Sequence, residues 1–142
     1  MKFESKKDIL YSILILGVSS LLIGIAIFEL ITGEMEKYKY WPMFIIFIVV
    51  GLLFWIYFGT NYKLSKDTLI YRSGPFKGKI GIDRIKEIVK RKTLWIGFRP
   101  ATSRKGLIVK YDKYNEIYIS PKTNESFIEK ILELNSEIKI TE

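Results

Sequence analysis

The fold turns on GLIVKYDKYNEIYISPKTNESFIEKILELN, residues 106–135. GLIVKY and EIYIS are rich in β-branched and aromatic residues. They flank DKYN, whose Asp and Asn suit a turn, so the first half reads as a β-hairpin. The second half changes period. After Pro121, Thr123 stands where a helix cap belongs, and Phe127, Ile128, Ile131, Leu132 and Leu134 form one apolar stripe at helical spacing. Glu125, Glu129, Lys130 and Glu133 occupy the other face. A hairpin followed at once by an amphipathic helix predicts a helix packed on a sheet.

Upstream, NYKLS and TLIYRS flank KD as a further hairpin, and SGP (Ser73–Pro75) signals a turn before FKGKIGI. DRIKEI offers Asp83 as the cap of one short helical turn, with Ile82, Ile85 and Ile88 facing inward. VKRKTLW reads as another strand, Val89 to Trp95, leading into a Pro-containing basic loop before GLIVKY. The whole suggests six or seven short strands closed by one helix.

Further out the composition changes. ILYSILILGVSSLLIGIAIFELI (9–31) gives about 23 residues with one ionisable side chain, and WPMFIIFIVVGLLFWIYFG (41–59) about 19 with none. Each is long enough to cross a hydrocarbon core of roughly 30 Å. The apolar run of the first exceeds that of a signal peptide and no small-x-small cleavage site follows it, so an uncleaved helix is expected. Ser19 and Ser20 beside Gly17 and Gly24 predict close packing within the hairpin. Tyr40 and Trp41 at one edge and Trp55 and Tyr57 at the other suit interfacial belts, and Glu29 lies within a turn of the outer end.

Charge sets the direction. Up to residue 60, Lys2, Lys6, Lys7, Lys37 and Lys39 cancel Glu4, Asp8, Glu29, Glu34 and Glu36, so the whole formal charge of +8 lies beyond. Lysines flank the first span, a basic domain follows the second, and the connecting loop is neutral. The positive-inside rule then predicts a multi-pass protein of the cell membrane with both termini cytoplasmic and the loop, about 32–40, outside.

Three stretches carry a family likeness: YKLSKDTLIYRSGPFKGKIGIDRIKEI, ATSRKGLIVKY and EIYISPKTNESFIEKILELN. Together they resemble the bacterial PH-domain family of YyaB-like proteins over about residues 60–137. The resemblance implies an α+β membrane protein. Residues 1–60 would hold an N-terminal segment and the two-helix transmembrane hairpin, and residues 61–142 a cytoplasmic PH-like bent antiparallel sheet or barrel capped by a C-terminal α-helix. It supplies no catalytic residue, ligand or partner.

The chain has no Cys and no His, which removes disulfides, thiolate metal sites and the commonest general base near neutral pH. SGPFKGKIG lacks the spacing and following helix of a phosphate-binding loop, and Ser103 and Lys105 sit in a segment that reads as exposed. No enzymatic activity, cofactor or metal is expected. Arg84, Lys86, Lys90, Arg91, Lys92, Arg99, Arg104 and Lys105 oppose only Asp83 and Glu87 across residues 83–105. Nucleic acid is a poor match, because neither a recognition helix nor an RNP-like aromatic pattern accompanies this charge. The expected partner is the inner leaflet, as anionic lipid headgroups, or a membrane protein. Contact is expected through Lys90, Arg91, Lys92, Trp95, Phe98, Arg99, Arg104 and Lys105. An immunity or envelope-stress role through a protein or peptide partner is the alternative, by analogy with other small membrane proteins.

Overall fold

A computed structural model describes residues 1–33 and 40–142; most of the predicted outer loop, residues 34–39, lies outside the described residues. The chain opens with strand β1 (Lys2–Glu4), then helices α1 (Ile9–Thr32) and α2 (Trp41–Gly59). Strands β2 (Asn61–Leu64), β3 (Thr68–Ser73) and β4 (Phe76–Gly81) follow. A 3-10 turn (Ile82–Arg84) leads to β5 (Ile85–Lys92), β6 (Gly106–Tyr111) and β7 (Asn115–Ile119). Helix α3 (Asn124–Leu134) and strand β8 (Lys139–Thr141) complete the chain.

At 1.5 Å per residue α1 and α2 are roughly 36 and 28 Å long, enough to cross a membrane. Gly33 ends α1 in the left-handed region at φ 66°, and Pro42 opens α2, where a missing N–H costs nothing. The helices meet through Ile15, Ser19 and Ala26 of α1 and Met43, Val50 and Tyr57 of α2, the last three at seven-residue intervals. Ser19 does face the partner helix, as expected, but Ser20 is exposed. Gly17 and Gly24 also face away: a methyl group added at either would touch nothing within 4 Å. Tyr57 is not an interfacial belt residue in the simple sense, since its hydroxyl lies 2.6 Å from Ser12 Oγ between the helices.

The domain is two four-stranded sheets, in the orders β1-β2-β3-β4 and β7-β6-β5-β8, with α3 packed on them. Neighbours are antiparallel except β5 and β8, where Ile88 lies opposite Ile140 in a parallel pair. The main apolar core includes Tyr62, Leu69, Ile80, Ile88, Leu107, Val109, Ile117, Ile119, Phe127 and Ile131, and a smaller cluster joins Val89, Ala101, Ile108 and Tyr118. The alternation of β6 and β7 puts Leu107, Val109, Ile117 and Ile119 on this one face. Phe127, Ile128 and Ile131 bury the expected stripe of α3, and Leu132 is partly covered. Leu134 is 40% exposed: it is the last helical residue, and Ile138 fills the core beyond it.

Three sequence expectations change. Asp83 caps no helix; Gly81 precedes a single 3-10 turn, and Ile85 and Ile88 are buried from a strand. The strand read as Val89 to Trp95 is really β5, which starts at Ile85 and stops at Lys92, and residues 93–105 form an irregular loop. The sheets also gain strands from both ends of the chain, β1 before the first helix and β8 after the last.

Candidate functional site

The helices and the domain meet at one junction. Ser5 Oγ is buried 2.9 Å from both Thr102 Oγ1 and Ser120 Oγ, and 3.2 Å from the Tyr62 hydroxyl. Tyr62 donates to Pro100 O (2.5 Å) and accepts from the Ser120 N–H (3.0 Å), while Thr102 Oγ1 donates to Lys6 O (2.7 Å). Lys6 N–H reaches Ser120 O at 2.7 Å, and Asp8 N–H reaches Thr102 O at 3.1 Å. Burial of so many polar groups is tolerable only because they satisfy one another. At the base of α2, Thr60 Oγ1 donates to Ile56 O (2.6 Å) and lies 3.0 Å from Ser73 Oγ. Gly74, at φ 58°, brings the β3–β4 turn against Ile56; a methyl group there would sit 2.9 Å from the Ile56 side chain. ATS and ISP, part of the family likeness, therefore bind the segment before α1.

The loop after β5 is pinned at this same end. Phe98 O accepts from Tyr118 N–H at 3.2 Å, and Lys105 N–H donates to Thr93 Oγ1 at 3.1 Å. Tyr118 Oη accepts from Gly106 N–H and donates to Ser103 O, both at 2.8 Å. Only glycine fits at position 106, because a side chain there would collide with Ile119 O. The tip left between these anchors exposes 76% of Trp95, 86% of Ile96 and 47% of Phe98. Phe98 rests on Tyr71, ring centroids 5.6 Å apart. Phe76 (55% exposed) flanks the β3–β4 turn beside α2. The Arg99 guanidinium lies 5.1 Å from the Tyr118 ring and 5.9 Å from that of Trp95, within cation–π range.

The eight residues expected to make contact fall into three groups. Trp95 and Phe98 belong to the exposed tip, with Lys92 at the strand end before it and the half-buried Arg99 behind it, over the Tyr118 ring. Arg91, Arg104 and Lys105 line a groove beside the start of α3. Lys90 is turned toward Glu142, 3.8 Å away, beside β8. Sequence reasoning missed Ile96 and Phe76, whose only signal was an apolar residue next to Gly or Pro in a turn. It also missed Lys6 and Lys122, which chain separation hides from any local window.

One ion pair lies at this junction and others farther along β5 and β6. The Arg104 hydrogen bond (2.8 Å) holds the Asp8 carboxyl below its ordinary range. Arg84 does the same to Asp112, and Thr141 followed by Lys110 does so to Glu87. A carboxylate depressed in the folded state stabilises above its unfolded pKa, and the contribution is lost as pH falls through the folded value. The thermal midpoint of the full chain in uncharged detergent should therefore drop as pH falls from about 5 through the acid range. Asp8→Asn should be less stable than the parent at neutral pH and lose less on acidification. Parallel profiles of parent and variant would refute the Asp8 assignment. Burial pushes the Tyr62 hydroxyl up from its ordinary value, so it stays protonated as the donor to Pro100 O.

A family model described as Bacterial PH domain matches residues 60–135, more than half of the chain. The chain belongs to the bacterial PH-domain family. The chain is 32% identical over 142 residues to the uncharacterized protein YyaB of Bacillus subtilis (strain 168). That match covers 99% of this chain and 97% of YyaB, so it includes both apolar helices as well as the bacterial PH domain. No solved structure gives a significant match.

Proposed function

We propose that this chain is a membrane-anchored binding module. Its two helices hold the PH-like domain against the inner leaflet, and the Trp95–Phe98 tip and the basic residues around it rest in the anionic lipid interface. One observation carries the reading: three large apolar side chains are exposed on a loop pinned beside the bases of both apolar helices. Pairing of β1 with β2 adds support, because a strand before α1 and one after α2 meet only if both lie on the same side. The lysines flanking that end favour the cytoplasmic side.

Magnitudes say which part of the contact dominates. An apolar side chain of this size gains about 1.5–3 kcal/mol when fully buried, against about 1 kcal/mol for a basic residue near an anionic surface. The tip should therefore stay seated when salt weakens the charges. The test uses the full chain with Trp41 and Trp55 replaced by Phe, leaving Trp95 as the sole indole, in nanodiscs of phosphatidylcholine with phosphatidylglycerol. Brominated acyl chains should quench Trp95 at low and high salt alike, and Ile96→Ser with Phe98→Ser should reduce that quenching. Trp95 open to acrylamide and unquenched by lipid would refute the reading and leave the tip to a protein partner.

A further inference from the structure

A groove of about 430 Å³ between the end of β5, residues 103–106 and the start of α3 gathers basic side chains. Lys6, Arg91, Arg104, Lys105 and Lys122 line it against a single carboxylate, Glu125. Arg104 is held by Asp8 at 2.8 Å and Arg91 lies 4.0 Å from Glu125. Among the described residues, Lys6, Lys105 and Lys122 have no carboxylate within ion-pair range.

These cations come from four separate parts of the chain and are set on rigid supports. Lys6 and Lys122 are fixed through their backbones, Lys6 N–H to Ser120 O and Lys122 N–H to Glu4 O at 2.9 Å. Arg91 (φ 56°) and Lys105 (φ 53°) both occupy the left-handed region, unfavourable for non-glycine residues, and Arg91 lies at the register shift of β5 against β6. Such a bulge re-aims a side chain out of the ladder. With Arg104 and Arg91 facing Asp8 and Glu125, the three remaining like charges in this concavity repel one another, and an anion relieves that repulsion.

We infer that this groove binds a phosphate group, either the phosphodiester of a lipid headgroup or a free phosphate. The lipid source rests on the membrane-facing reading above, since Lys6 lies three residues before α1 and Arg104 touches its first turn through Asp8. The phosphate sits among Lys6, Lys105 and Lys122, the cations without carboxylate partners. The N–H groups opening α3 add a favourable dipole.

The test follows backbone amides of Lys105, Glu125 and Ser126 by NMR in the full ¹⁵N-labelled chain. One arm titrates inorganic phosphate into protein in uncharged detergent. The other compares nanodiscs of phosphatidylcholine with and without phosphatidylglycerol. Saturable shifts in the detergent arm establish a free-phosphate site, and shifts confined to phosphatidylglycerol discs establish a lipid one. Either supports the inference. The combined variant Lys6→Ala, Lys105→Asn, Lys122→Ala, using Asn where the backbone is left-handed, should bind roughly a hundredfold more weakly. Lys63→Ala, Lys66→Ala, Lys130→Ala removes the same charge at a different groove of the domain and should bind normally. Silent amides in both arms, or equal weakening by the two variants, would overturn the site. Trp95 quenching is read separately: a quenched Trp95 above a silent groove removes the phosphate site and leaves the leaflet contact standing.

Discussion

Phe127→Ala should lower the stability of the domain by about 3–5 kcal/mol, the cost of emptying a fully buried aromatic site. Phe127 opens the α3 stripe and meets Phe3 of β1 edge-on, ring centroids 5.2 Å apart. The same ring therefore joins the last helix to the first strand. Urea unfolding of the full chain in uncharged detergent, followed through its β-sheet circular dichroism, measures the loss. Domain stability is typically of order 5–15 kcal/mol, so such a loss removes a large share of it. A change below about 1 kcal/mol would mean that α3 packs elsewhere.

Tyr62→Phe removes one oxygen from a crowded polar junction. The ring stays in place, but Pro100 O and the Ser120 N–H each lose a partner in a buried site. A buried group left unsatisfied costs roughly 1–3 kcal/mol, so Tyr62→Phe should be destabilising by about that much. Ser5→Ala acts on the same network, and the two substitutions should not add; a coupling of about 0.5 kcal/mol or more is expected. Strict additivity, measured by the same urea titration, would show that Ser5 and Tyr62 do not share the network.

Much of this architecture is readable from the chain. The β6–β7 hairpin and α3 are local: each declares itself by period within a dozen residues, and the structure keeps both. The two apolar helices are equally plain from length and composition. What escapes a local reading is whatever depends on distant partners. Lys2–Glu4 has no periodicity of its own and becomes a strand only because β2 offers an edge. Lys139–Thr141 is likewise defined by β5. The bulge at Arg91, φ 56°, interrupts β5 one residue before its end at Lys92, a departure that favours glycine and that no residue type announces. The candidate contact residues were found as a stretch of sequence, whereas the fold divides them between an apolar tip and a basic groove. Lys6 completes that groove from the far side of two helices.

The placement of β1 has a consequence for biosynthesis. Ser5 and Tyr62 are separated by 57 positions, and both apolar helices are made between them. The first strand leaves the ribosome long before its partner exists, so the domain cannot close until both apolar helices and β2 have been made. An inserted hairpin brings the two ends together and so removes most of the entropy of closing that long loop. A hairpin in which only one helix crossed would strand β1 and Ser5 across the bilayer from β2, leaving Tyr62, Thr102 and Ser120 without Ser5. If the hairpin spans the bilayer as proposed, correct insertion and completion of the fold are one event, and a mis-inserted chain would present an unfinished sheet edge.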